Sequence, residues 1–199
     1  DDPDVKATLA EIESKASTLA APSPGGETEF TAGAPVSLTT REHRAVPPAD
    51  GDDGRTAMHK LFVDGRLISD ADFGHYWPTP PIHEAPRVVS DPFVQILADR
   101  GLVPLDKSLR VLCERSRLPF LPLDRYDADP DLARSYPRDA CMRWCVLPFD
   151  RMSKSVMVAT ANPFNKLAAW ELENTAKTHL LYYVAPPGDI TRLIRKLFR

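Results

Sequence analysis

From Cys145 to Leu197 the apolar residues change their spacing in a set order, and that order leaves few folds open. CVLPF and VMVATANP read as two strands around a turn at Met152-Ser153-Lys154, the second closed by Asn162-Pro163. A helix bearing Leu167, Trp170, Leu172 and Ala176 follows, with Asn165 as its cap. LLYYVA is a third strand, and Asp189 is expected to cap a last helix that buries Ile190, Leu193, Ile194 and Leu197. The order β-β-α-β-α implies a small sheet of three or more strands with helices packed on it, an α+β sandwich. Strands two and three, joined through a helix, suit a parallel crossover.

The rest of the chain divides by composition into four segments. Residues 1–22 place Val5, Leu9, Ile12, Ala16 and Leu19 on one stripe of an amphipathic helix, opposite Lys6, Glu11 and Lys15. Residues 23–55 read as a flexible linker rich in Gly, Pro, Asp and Thr. Residues 56–117 read as a helical subdomain, with Ser69 and Asp91 as candidate N-caps and a break at Gly101. A helix then runs from about Leu105 to Arg115 with Leu105, Leu109 and Leu112 on one face. VDGRLISDADF, with a break near Gly65, and ADRGLVPLDKSL look like diverged copies of one helix–Gly–helix unit. Residues 118–199 form the sandwich, entered through short helices started by Asp129-Pro130 and Pro137.

The 20 prolines among 199 residues are about twice average usage and concentrate between Pro22 and Pro92. A net charge of −3 argues against nucleic acid as the main partner. Three cysteines suit a reducing compartment, and no apolar run approaches the roughly 18 residues of a membrane span. A cytoplasmic protein, peripheral to a membrane only through a partner, is the expectation. The chain begins without Met and stops just after a helix, as an excised fragment would.

No catalytic set assembles: GxxxxGK[ST], GxSxG and HExxH are missing. Cys141 and Cys145, with His75 and His83 upstream, have no second close pair, so no metal and no cofactor are expected. Gly188 before a helix reads as a turn, not an anion site. Arg192, Arg195, Lys196 and Arg199 read as a solvated face that complements the helix dipole. Trp144 reads as core, and Tyr76-Trp77 either as an exposed anchor or as packing for the linker.

The run GLVPLDKSLRVLCERSRLPFLPLDRYDADPDLARSYP, then VLPF, the MVATANP strand end and the PPGDI helix start, resembles the N-terminal domain of type II secretion and type IV pilus assembly ATPases, including its MshE-type relative. The resemblance covers about Asp91 to Arg199. It implies a non-catalytic module that docks on the cytoplasmic domain of an inner-membrane assembly protein, and the Val5, Leu9, Ile12, Leu19 stripe is the candidate arm. In the MshE-type branch the domain is a receptor for cyclic di-GMP. Its motif there is Arg-Leu-Gly, an apolar pair, a Gly with two aliphatics, spaced leucines and a closing Gln, present twice. The alternative is therefore a degenerate cyclic di-GMP sensor attached to an ATPase or glycosyltransferase, with Leu97, Gly101, Leu102, Leu112, Arg115 and Arg117 as ligand residues. Pro92-Phe93-Val94 stand where that motif has Arg-Leu-Gly, Ser108 replaces a leucine, and Arg115 takes the place of Gln. Upstream, Ala57 and Arg66 stand where Arg and Gly are expected. Proline offers neither the stacking plane nor the paired donors of a guanidinium, so docking is the main reading.

Overall fold

The structure is a computed structural model and describes residues 51–176 and 178–198. The expected helix over 1–22, with Val5, Leu9, Ile12 and Leu19, lies outside the described residues, as do most of the linker over 23–55 and Arg199. The described residues form one compact unit.

Helix α1 spans Arg55–His59 and continues as a wider π-type turn over Lys60–Asp64. Helix α2 follows at Asp70–Tyr76, α3 at Phe93–Asp99 and α4 at Leu105–Ser116. Ser69 caps α2 as expected, its Oγ accepting the Asp72 N–H at 3.1 Å. Asp91 does not cap α3. Pro92 occupies the N-cap position in an extended conformation (ψ 154°), so the helix starts one residue later than expected and Asp91 makes no capping bond.

The two helix–turn–helix copies close in the same way. In the second, the Gly101 N–H donates to Ala98 at 3.0 Å, and the Leu102 and Val103 N–H groups converge on the Leu97 carbonyl at 2.9 and 3.4 Å. In the first, Arg66 donates to Val63 at 2.9 Å, and Leu67 and Ile68 converge on Phe62 at 2.8 and 3.1 Å. Both are Schellman turns, in which the residue after the helix takes a left-handed conformation. Gly101 (φ 69°) and Arg66 (φ 55°) hold that position. Glycine carries it at no steric cost, whereas a Cβ costs about 1 kcal/mol. Arg66→Gly is therefore expected to raise stability by about 0.5–1 kcal/mol, read as a higher urea midpoint at unchanged slope.

The hydrophobic face of this repeat is aromatic. Phe62, Phe73, Trp77 and Phe93 are buried, with Phe73 5.0 Å from Phe93 and 5.2 Å from Trp77, ring centre to ring centre. Trp77 also donates its indole N–H to Asp53 Oδ2 at 2.9 Å. The Tyr76-Trp77 pair thus packs the incoming chain down instead of presenting a free anchor. Lys166 and Leu167 N–H groups bond the Asp52 carbonyl at 3.0 and 3.3 Å, and Asn162 Nδ2 donates to the Asp53 carbonyl at 2.8 Å. The end of the expected linker is therefore part of the fold. A hydrogen bond from the Lys166 ammonium, 2.8 Å from Asp52 Oδ2, holds the Asp52 carboxyl below its ordinary range.

After a single 3-10 turn at Leu123–Arg125 come α5 (Pro130–Arg134) and α6 (Arg138–Trp144). Asp129 caps α5 by accepting from Asp131 and Leu132. Pro137 sits at the N-cap of α6 and not at its first helical residue, one position earlier than expected. Cys145 closes α6 in a left-handed conformation (φ 50°), so it is the helix end and not the first strand residue. The sheet is β1 (Val146–Met152), β2 (Ser155–Thr160) and β3 (His179–Val184), in that order, with α7 (Lys166–Thr175) between the last two. β1 and β2 are antiparallel, β2 and β3 parallel in register Ser155–His179 to Thr160–Val184, the crossover the spacing implied. Asn165 caps α7, its Oδ1 accepting the Ala168 N–H at 2.9 Å.

The last helix, α8 (Pro187–Leu197), starts a turn before the expected cap. Pro186 is its N-cap and Pro187 its first residue, whose missing N–H would have had no partner there anyway. Asp189 instead pairs with Arg192 at 2.9 Å. Helix α8 packs on β1 and β2, and α4 lies against β3. A single buried cluster runs from Met58 to Leu197 across the junction between 117 and 118, so the helical repeat and the sheet share one α+β core.

Candidate docking and ligand surfaces

The residues nominated as ligand contacts separate into two groups. Leu97 and Leu112 are fully buried and hold the repeat together. Gly101 and Leu102 are exposed on the second Schellman turn, Leu102 at 37%. Arg115 and Arg117 are exposed at the C-terminal end of α4, where cations complement the helix dipole. Arg117 is the left-handed cap (φ 59°), and its N–H donates to the Cys113 carbonyl at 2.9 Å. Pro92, at the position of the motif's first arginine, is buried and presents no donor.

Arg115 borders two grooves. One, of about 530 Å³, lies between α4 and the first turn and includes Lys60, Asp64, Gly65 and Leu67. The other, of about 560 Å³, follows Leu180 to Tyr183 along β3 and is flanked by Leu118, Pro119 and Phe164. A third cleft, of about 630 Å³, separates α3 from α8. Its α8 wall carries Arg192, Arg195 and Lys196, but its α3 wall carries Asp91 and Asp99. Facing charges of opposite sign make it a poor phosphate site. Gly188 lies at this rim, inside the first turn of α8 and not in a turn before it.

One buried polar cluster was not legible in the sequence. Arg143, 8% exposed, donates from Nη1 to both Glu171 carboxylate oxygens at 3.1 and 2.9 Å. Its Nε and Nη2 donate to the Pro81 and Glu84 carbonyls at 3.1 and 3.2 Å. The Trp144 indole N–H adds a bond to Glu171 at 2.9 Å, and Trp144 is otherwise buried core as expected. This clamp ties α6, α7 and the proline-rich segment over 81–84 together. Its bonds are all used in joining these segments.

Among the described residues no three His, Cys, Asp or Glu side chains are grouped to hold a metal ion. Cys141 and Cys145 are buried, and desolvation pushes both thiols up to about 12. Only thiolates react quickly with alkylating agents. Native protein in excess iodoacetamide at neutral pH is expected to modify half-exposed Cys113 first, with Cys141 and Cys145 labelled only after denaturation, as read by peptide mass. Among the described residues no helix is long and apolar enough to cross a membrane.

Residues 116–199, which include the three strands and the helices packed on them, match the family model of the MshEN domain. This part of the chain is similar to the MshEN domain family. The chain has the fold of a solved N-terminal domain. That of XpsE covers 72% of this chain and 95% of its own at 16% identity, with a TM-score of 0.52. A second crystal form of XpsE covers 70% and 93% at 15% identity, with a TM-score of 0.46. A structure of MshE with cdg covers 70% and 97% at 18% identity, with a TM-score of 0.49. No curated protein matches the chain. The resemblance to N-terminal domains of type II secretion and type IV pilus assembly ATPases therefore stands on the MshEN match, and the XpsE likeness supports the fold.

Proposed function

We propose that this chain is a non-catalytic docking and regulatory N-terminal module of a secretion or pilus assembly ATPase-like protein. It binds the cytoplasmic domain of an inner-membrane assembly protein, acts in the cytoplasm, and reaches the membrane only through that partner. The MshEN match over 116–199 carries the reading. The groove along β3 supports it as well, since its lining is mainly apolar, from Leu118, Pro119, Phe164 and Leu180 to Tyr183.

Two surfaces can serve: the Val5, Leu9, Ile12, Leu19 stripe, or the face of the sandwich. Removing residues 1–22 separates them by interferometry against the immobilised cytoplasmic domain. Unchanged affinity assigns docking to the sandwich, and a loss of binding assigns it to the stripe.

The repeated Schellman turn favours a second reading, a degenerate cyclic di-GMP sensor, because the related motif also occurs twice. The buried Pro92 and the absence of an arginine at Ala57 weigh against it. Calorimetric titration with cyclic di-GMP is expected to show no saturable heat. Saturable binding that disappears in Arg115→Ala would put the sensor reading first.

A further inference from the structure

The two edges of the sheet are protected unequally. β1 carries a bulge between Pro148 and Asp150, the charged pair Asp150-Arg151, and a Phe149 carbonyl that accepts the Asp129 N–H at 2.8 Å. Proline, charge and a bulge all discourage further strand pairing. β3, His-Leu-Leu-Tyr-Tyr-Val, has none of these.

At its C-terminal end β3 already accepts a neighbour. The Val184 N–H donates to the Pro119 carbonyl at 3.0 Å and the Val184 carbonyl accepts from Leu121 at 2.8 Å, while the next residue, Ala185, donates back to Thr160 at 3.0 Å. Backbone groups alternate in direction along a strand. The N–H and C=O of Leu180 and Tyr182 therefore face the same way as those of Val184, outward from β2. Among the described residues no backbone group pairs with them on that side. The groove of about 560 Å³ runs beside them, and Arg115 is the one charged residue in its lining. Phe120, 50% exposed, stands at the end of the same edge.

We propose that the outer edge of β3 docks an extended strand of a partner protein, with alternating apolar side chains and a carboxylate that meets Arg115. This rests on the docking reading and names its surface and chemistry. Outward N–H and C=O groups at a spacing of two match the backbone of a strand, whereas a helix has already used its own. Arg115 makes no ion pair among the described residues, and its guanidinium fork suits a carboxylate.

The test is selection of random short peptides by display on the full chain, followed by N-methylation of alternate amides in a selected peptide. Enriched sequences are expected to alternate apolar residues around an Asp or Glu. Methylating the amides of one phase is expected to weaken binding at least about tenfold, and methylating the other phase to leave it nearly unchanged, the asymmetry of strand addition. Arg115→Glu, on an exposed helix end, is expected to weaken the same peptides by a similar factor. Equal sensitivity in both phases, indifference to Arg115→Glu, or no enriched peptide would each overturn the proposal. Self-association of the chain that Arg115→Glu abolishes, without peptide binding, would reassign the edge to a second copy and also overturn it. A chain that binds the assembly-protein domain but takes no peptide loses this inference alone. One that takes the peptide but not that domain loses only the partner assignment.

Discussion

Arg143→Ala is expected to destabilise the fold by about 3–5 kcal/mol, the cost of removing one partner from a buried ion pair. The side chain gives Glu171 two of its three hydrogen bonds and serves the Pro81 and Glu84 carbonyls. Without it the Glu171 carboxylate, 18% exposed, keeps only the Trp144 N–H. The two carbonyls lose their donor as well. Urea unfolding reads the loss as a lower midpoint. The double variant Arg143→Met with Glu171→Gln is expected to lose less than Arg143→Ala alone, because it leaves no charge behind. A loss below about 1 kcal/mol in Arg143→Ala is what an exposed pair would give, and would remove the clamp from the account.

Gly54→Ala is the second large effect, expected at roughly 2–4 kcal/mol from strained backbone and overpacking together. Gly54 has φ 90°, and a Cβ there would lie 2.8 Å from Asn162 Oδ1 and 3.0 Å from the Phe164 backbone. Relief would push the chain off Asn162, breaking the 2.8 Å bond from Asn162 Nδ2 to the Asp53 carbonyl. The Trp77 bond to Asp53 would loosen with it, exposing the aromatic cluster of the repeat. A blue-to-red shift and quenching of tryptophan emission should therefore accompany the lost stability. An Ala variant as stable as the parent would mean that residues 52–54 are linker after all, as composition alone suggested.

What the sequence shows well is what is settled by neighbours in the chain. Ser69, Asp129 and Asn165 are caps because each side chain reaches an N–H two or three residues ahead, a purely local event. Asp91 lies one residue before the N-cap of its helix and Asp189 three residues after, so the cap rule misplaces them. The paired Schellman turns were legible as similar spacing in VDGRLISDADF and ADRGLVPLDKSL, although the left-handed position is Arg66 in one and Gly101 in the other. The parallel crossover between β2 and β3 followed from period and connection length.

Legibility ends where contacts join distant residues. Arg143 and Glu171 are 28 positions apart, and Trp77 and Asp53 are 24. Nothing in the period of either segment marks the partner, and a lone Arg beside a Trp on a short helix reads as surface. The candidate ligand set divides for a related reason. Leu97 and Leu112 match a motif by spacing, yet the same spacing is what buries them. The open edge of β3 could not be foreseen either, because whether Leu180 and Tyr182 face a neighbour depends on where residues 119–121 settle.

We propose that this chain, with its MshEN-like region, works by holding a protein partner and not by nucleotide chemistry. The direct measurement offers the immobilised full chain two analytes in turn: the purified cytoplasmic domain of the inner-membrane assembly protein, and cyclic di-GMP. Saturable, reversible binding of the protein domain, weakened by Arg115→Glu, with no saturable response to the nucleotide, is the predicted result. Saturable nucleotide binding lost in Arg115→Ala, with no response to the protein domain, would contradict it.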